Sequence, residues 1–214
     1  MIAILDYGLG NLGSIANMLK VIGEKSKITS GKDEIDRADG IILPGVGAFD
    51  AGMKKLSDTG LDEAVKERAK AGVPILGICL GMQLLGRGSE EGRLSGLNLI
   101  SFECKRFDFS STSHGGLKIP HMGWDVVDMK QEHPIIERIN GKQRYYFVHS
   151  YHAVCDDENS ILMTCDYGYE FTAAVVKENV IGVQFHPEKS HDFGLALLNN
   201  FVLMCRIISE QKME

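Results

Sequence analysis

The stretch Val73-Pro-Ile-Leu-Gly-Ile-Cys-Leu-Gly-Met-Gln-Leu-Leu85 constrains this chain more than any other. A short apolar run with Pro74 at its entry reads as a buried strand, and a second apolar run beyond Gly81 reads as a helix. Between them, Gly77-Ile-Cys-Leu-Gly81 has the pattern of a sharp elbow, with glycines where two backbone segments approach closely and a strained residue between them. A cysteine placed there projects its sulfur toward solvent. The amides and dipole of the following helix then favour the reactive thiolate. The alternative is that Cys79 is a small buried core residue, a common fate of a free cysteine. Local sequence does not choose between the two.

The flanking chain supplies the architecture. Ile2-Ala-Ile-Leu5 is a buried-strand candidate, followed by the glycine-rich turn Asp6-Tyr-Gly-Leu-Gly-Asn11. Apolar residues at Leu12, Ile15, Leu19 and Ile22 predict a helix with Gly23 as its stop. Lys25 to Thr29 and Ile41 to Leu43 are further strands, the latter ending in Pro44-Gly-Val-Gly47. Leu61 to Ala71 is a second helix, and Asp33-Glu34 falls in a loop. This alternation predicts an α/β fold: a mostly parallel sheet between helical layers. Beyond Gly86 the pattern changes. Arg87 to Ser95 reads as a polar loop and Ser110 to Gly116 as another. Between and beyond them come shorter strands at Leu97–Phe102, Gly123–Val127, Tyr145–Val148, Ile161–Thr164, Ala173–Val176 and Val180–Phe185. Glu178-Asn179 makes a hairpin turn between the last two. A closing amphipathic helix carries Phe193, Leu197, Phe201 and Met204. With no linker, repeat or low-complexity tract, residues 1–214 are expected to form one domain.

Bulk properties exclude several roles. A formal charge of −6 with no clustered basic run argues against nucleic-acid binding. No basic leader precedes the first apolar run, and no apolar run approaches the roughly 20 residues of a bilayer span, so neither a signal peptide nor membrane attachment is expected. Five scattered cysteines, none spaced C-x-x-C, indicate a reducing cytoplasm rather than a disulfide framework or zinc site. His149 and His152 lie in or beside a strand and do not form a metal motif.

Val183-Gln-Phe-His-Pro-Glu188 leaves another predicted strand. His186 could serve a cysteine as base, with Glu188 orienting it; alternatively it is a hydrogen-bonded turn histidine beside a solvated glutamate. Reactive groups of open parallel sheets gather at the carboxyl ends of strands, which would bring Cys79 and His186 together. The glycines of Pro44-Gly-Val-Gly47 would let backbone amides face such a site. A competing signal is Gly8-Leu-Gly-Asn-Leu-Gly13, which fits the dinucleotide fingerprint G-x-G-x-x-G. It lacks the acidic residue expected at the end of the second strand, and it leaves Cys79 and His186 unexplained.

Together these motifs give the chain a resemblance to the class I (triad) glutamine amidotransferases, and within them to the glutaminase (HisH-type) subunits of imidazole glycerol phosphate synthase. The matching segments are Asp6-Tyr-Gly-x-Gly-Asn11, Leu43-Pro-Gly-Val-Gly-Ala-Phe49, Gly77-Ile-Cys-Leu-Gly-Met-Gln83, Pro120-His-Met-Gly-Trp124, Phe147-Val-His-Ser-Tyr151 and Gln184-Phe-His-Pro-Glu-Lys-Ser190. The resemblance implies a three-layer, flavodoxin-like domain with extra antiparallel strands in its second half. It implies Cys79 as nucleophile, His186 as base and acid, and Glu188 as orienter. Gly45, Val46, Gly47 and Leu80 would hold the oxyanion. Gly47, Gln83, His149, Ser150 and Tyr151 would bind glutamine, without metal or cofactor. It further implies a cytoplasmic heterodimer with a (β/α)8 cyclase subunit that receives ammonia through a channel, docked at Gly8, Gly10, Asn11, Trp124 and Lys189. Two departures bear on the partner: Asp125 replaces the family's usual asparagine, and His191-Asp192 replace small residues. The alternative they leave open is a HisH-like glutaminase feeding an ATP-dependent sugar-nucleotide amidotransferase in surface polysaccharide synthesis. A stand-alone cysteine hydrolase would share the elbow but would not need Gln83 or the Pro-Gly-Val-Gly segment.

Overall fold

The structure, a computed structural model, describes residues 1–110, 116–137 and 142–211. Four apolar four-residue segments, β1 (Ile2–Leu5), β3 (Gly40–Leu43), β4 (Ile75–Ile78) and β12 (Val180–Val183), are buried along their whole length. Strands buried on both faces belong at the centre of a parallel sheet. With β2 (Ser26–Thr29) at the edge they pair in parallel in the order β2-β1-β3-β4-β12.

Alternate residues of these strands serve opposite layers. Ile2, Ile4, Ile42, Leu76 and Ile78 pack with Ile15 and Leu19 of α1 (Leu12–Ile22) and Leu197, Leu198 and Phe201 of α6 (His191–Gln211). Ala3, Leu5, Ile41, Leu43 and Ile75 face α2 (Lys32–Asp36), α3 (Phe49–Asp58), α4 (Leu61–Lys70) and α5 (Leu80–Leu84). The result is the expected three-layer α/β sandwich.

Past β12 the sheet continues antiparallel through β11 (Glu170–Lys177), β10 (Ile161–Asp166), β7 (His121–Met129) and β8 (Gln143–His149). β5 (Gly88–Ser89), β6 (Phe102–Arg106) and β9 (Tyr151–Cys155) form a branch joined to β11 through Thr172 and Ala153. The Glu178-Asn179 hairpin turn is present, since Lys177 pairs with Val180.

Several expectations are corrected. Leu97 to Ile100 is not strand. Its amides instead bond the last carbonyls of the α5 region, Leu97 N–H to Leu84 O at 2.8 Å and Leu99 N–H to Leu85 O at 2.9 Å, so its apolar side chains cover a helix end. Asp33-Glu34 lie in α2 rather than loop. α3 was not expected either, although Phe49, Met53 and Leu56 recur at helical spacing on its buried face; Gly52 shares that face, where a β-carbon would meet Leu80 at 3.1 Å. The polar Arg87–Ser95 segment contains β5, and β9 was not expected. Most of the Ser110–Gly116 loop lies outside the described residues. α6, the expected closing amphipathic helix, has the length and apolar composition of a bilayer span. Its Leu197, Leu198, Phe201, Val202 and Cys205 are buried in the core, and Asn200 donates to the carbonyls of Ile135 and Glu137. It therefore packs as a core helix.

The elbow is the tightest point of this packing. A β-carbon at Gly81 would fall on the Leu43 carbonyl oxygen, and one at Gly77 would sit 2.8 Å from the Gly81 oxygen. Neither neighbour is a flexible side-chain end that can move aside. Gly81→Ala should therefore lower stability by about 3 kcal/mol, measured as a shifted urea midpoint with an unchanged slope.

Candidate active site

β4 ends at Ile78 and α5 begins at Leu80, so the turn between them falls wholly on Cys79. Its φ of 55° and ψ of −111° lie outside the regions that L-residues ordinarily occupy. The amide of Cys79 donates to the Val183 carbonyl at 2.8 Å, which joins the elbow to the end of β12. The cysteine is 7% exposed, less open than the sequence suggested, and lies in a cavity of about 480 Å³. α5 is only five residues long, so its dipole offers the sulfur less than a full helix would. Tyr7, whose hydroxyl donates to the Pro44 carbonyl, lies behind the site with its pKa raised by burial and by the nearby cysteine.

His186 follows β12 and opens a short turn through Pro187–Lys189. That turn is fastened to β8: His186 N–H donates to Tyr146 O at 2.9 Å, Tyr146 N–H to Ser190 Oγ at 3.0 Å, and Ser190 Oγ–H to His186 O at 2.6 Å. The His186 ring is thus held from both sides. Nδ1 lies 2.8 Å from Glu188 Oε1, and both side chains are only 2% exposed. Nε2 is buried and meets no partner at hydrogen-bond geometry. Burial pushes the imidazolium down, but the cysteine and Glu188 outweigh it and raise His186 to about 9. The arrangement favours a protonated His186.

The other predicted residues are placed as follows. Val46, Gly47, Leu80, Gln83, His149, Ser150 and Tyr151 line the cavity with Cys79 and His186, whereas Gly45 lies beneath it, close against Gly81. The amides of Gly45, Val46 and Gly47 donate to no group among the described residues. Leu80 begins its helix and so has no preceding turn to donate to. Gln83 Nε2 donates to Gln184 Oε1 at 3.0 Å and to Tyr151 O at 3.3 Å, which engages both its hydrogens and leaves only its oxygen for a ligand. His149, buried in the cavity wall, is held neutral by burial at about 3.

Elsewhere, the Trp124 ring stacks on His191 at 5.4 Å, and the Lys189 ammonium sits 5.5 Å over Tyr146. The Gly8–Gly10 turn has positive φ at both glycines, and a β-carbon at Gly10 would meet Pro44 at 3.1 Å. That contact accounts for a glycine of the dinucleotide-like pattern without a phosphate. Asn11 accepts from the Ser14 hydroxyl. Among the described residues no cluster of metal-ligating side chains occurs.

Sequence reasoning gave no role to Gln184, which is fully buried and donates to the Cys79 sulfur at 3.8 Å. It was visible only as the first residue of the Gln-Phe-His-Pro-Glu segment. Glu91, which also lines the cavity and accepts the Phe49 amide at 2.8 Å, had no sequence signal.

The family model for class-I glutamine amidotransferases matches residues 3–205. The chain belongs to that family. It is 49% identical over 203 residues to imidazole glycerol phosphate synthase subunit HisH 2 of Pseudomonas aeruginosa, covering 94% of this chain and 98% of the relative. It is 50% identical over 202 residues to subunit HisH of Sulfurimonas denitrificans, covering 94% and 97%. Among solved structures, PurLQS from Thermotoga maritima superposes with a TM-score of 0.71 at 19% identity, over 95% of this chain and 97% of that one. The glutaminase domain of Trypanosoma brucei CTPS, solved with acivicin, gives 0.62 at 16%, over 94% and 93%. At such identities the two structures speak for the fold alone.

The raised His186 pKa has two consequences. Relative to an unfolded value near 6.5, its favourable contribution to stability is complete below that pH and is lost as pH climbs through about 9. Glutamine hydrolysis by a glutaminase of this design should fall on the alkaline side over the same interval. Glu188→Gln should move that limb to lower pH, read from the profile of kcat/KM.

Proposed function

We propose that the chain is the glutaminase subunit of an imidazole glycerol phosphate synthase, hydrolysing glutamine to glutamate and ammonia through Cys79, His186 and Glu188. The observation that carries the chemistry is the buried Glu188–His186 pair opening, through a free Nε2, onto a cysteine in an elbow. The near-50% relatives named for that synthase subunit support the partner assignment over a sugar-nucleotide amidotransferase.

On this reading glutamine enters the cavity with its α-ammonium toward Gln83 Oε1 and its side-chain amide at Cys79. The thiolate adds to the amide carbon. The oxyanion is received by the amides of Leu80 and of the Gly45–Val46–Gly47 segment, consistent with their lack of other partners. His186 gives its proton to the departing nitrogen and breaks the C–N bond, while Glu188 steadies the ring. His186, now neutral, takes a proton from water, whose hydroxide attacks the thioester. Glutamate leaves, and thiolate and imidazolium are restored.

Ammonia released to bulk water becomes ammonium, which is not a nucleophile, so the reading includes a cyclase partner of (β/α)8 type and a sheltered channel. Gly8, Gly10, Asn11, Trp124 and Lys189 are assigned to the docking face. The whole chain is taken as one cytoplasmic domain acting without cofactor or metal.

Cys79→Ala in the assembled complex should abolish glutamine-dependent synthesis, by at least about a thousandfold. Synthesis from ammonium salts should remain, because the partner's chemistry is untouched. Retained glutamine turnover would sink the mechanism. Loss of both activities with the complex intact would mean that Cys79 serves assembly of the acceptor site instead. A cyclase that leaves glutaminase output unchanged would count against the partner, and a genomic setting among glycosyltransferases would point to the alternative.

A further inference from the structure

Beneath the cavity wall, three short contacts run in line. Asp125 Oδ2 lies 2.9 Å from His121 Nε2, His121 Nδ1 lies 3.1 Å from His149 Nε2, and His149 Nδ1 lies 2.8 Å from the Tyr151 carbonyl oxygen. Each contact needs one proton. The carbonyl brings none, and two neutral imidazoles bring one apiece. Two protons cannot fill three contacts, so the chain must hold one more.

Its position follows from the neighbours. The Tyr151 carbonyl can only accept, so His149 carries its proton on Nδ1 and offers Nε2 as acceptor. His121 must then donate from Nδ1, and the contact with Asp125 needs a second proton on His121 or one on the carboxyl. Between a free carboxyl and a free imidazole the proton prefers the imidazole by roughly two to three pH units. His149 is the worse place for a charge, because no carboxylate contacts its ring and it lies close to His152 and His186. Burial outweighs the Asp125 carboxylate and lowers the His121 pKa from its ordinary value; against that, the three contacts need a third proton, and the donor count decides for the charged form. The ring is also sandwiched between Tyr167 at 4.0 Å and Phe147 at 4.9 Å, both 24° from parallel, and aromatic faces attract a cation.

The other titratable groups nearby do not supply the proton. Cys165 on β10, held up at about 12 by burial and by Asp125 and its neighbours, stays a thiol. Tyr167 donates its hydroxyl to Lys118 O at 2.9 Å. His152 makes a useful contrast. Its two contacts, Ala153 O at 3.3 Å and the Tyr169 hydroxyl at 3.0 Å, are filled by one neutral ring and one phenol.

The inner end of the chain reaches the reaction site. The Tyr151 carbonyl that His149 holds also accepts from Gln83, Gln83 bonds Gln184, and Gln184 bonds the Cys79 sulfur. The outer end, Asp125, is 41% exposed on the strand that carries Trp124. We propose that Asp125, His121 and His149 are positioning residues, with His121 a buried imidazolium, and that this charged chain sets the glutamine-facing wall at Tyr151 and Gln83. The positioning role rests on the glutaminase reading; the charge on His121 does not.

The test uses the full chain labelled with 15N-histidine, observed by long-range 1H–15N NMR at pH 7.5. His121 should show both ring nitrogens protonated, and His149 only Nδ1. In Asp125→Asn the new amide can donate to Nε2, so His121 should become neutral while its Nδ1–H stays on His149. A neutral His121 in the natural chain, or identical His121 signals in both proteins, overturns the charged chain. In kinetics, Asp125→Leu should raise KM for glutamine about fivefold or more with kcat within about twofold, the signature of lost ground-state positioning. An unchanged KM, or a fall confined to kcat, overturns the positioning role. The NMR result would stand even if Cys79→Ala proved the glutaminase reading wrong.

Discussion

The hydrogen bond from the Cys79 amide to the Val183 carbonyl is the contact on which the rest of the site depends. It extends the parallel pairing of β4 with β12, in which Gly77 sits opposite Gly182 and Ile78 opposite Val183. Because the two strands run in the same direction and end together, the residues that follow them leave at the same edge of the sheet. A cysteine and a histidine more than a hundred positions apart thereby share one cavity. Gly182 marks that register, because a β-carbon there would meet Met82 at 2.6 Å and Val175 at 3.0 Å.

Around that junction the molecule divides its polar groups sharply. The His186–Glu188 pair is sealed from water and stitched to β8 through Ser190 and Tyr146. Pairing is what makes a buried charge tolerable, and here carboxylate, imidazolium and sulfur compensate one another. On the opposite wall, Gln83, Gln184 and the Tyr151 carbonyl satisfy one another in a network that fixes the cavity before any ligand arrives.

Much of this was legible in the sequence because local and global signals agree. The strands β1, β3 and β4 read correctly as short apolar runs, and α1 has the bounds that its periodicity predicts. The elbow and the His-Pro-Glu turn could be named because each combines a strand end with residues of specific chemistry. What escaped is tertiary in origin. Leu97 to Ile100 is apolar because it covers the end of α5, and no pattern distinguishes that from a strand. α3 is an exception, since Phe49, Met53 and Leu56 keep helical spacing and its signal was present in the sequence. Gln184 was in plain view, yet a buried glutamine declares its partners only once the fold brings Gln83 and Cys79 to it. α6 passes for a bilayer span by length and composition, yet the spacing of Phe193, Leu197, Phe201 and Met204 already marked a packing face, and the structure buries Leu197 and Phe201 in the core.

The stitching of the His186 turn to β8 also determines where the molecule can yield. His149 belongs to the same strand, so the base and the substrate wall form one stiff body. The Gly45–Gly47 segment is different: Val46 and Gly47 are exposed, and its amides are in no ladder. The cavity thus has one wall held by hydrogen bonds between strand and turn, and another whose backbone amides donate to no group among the described residues.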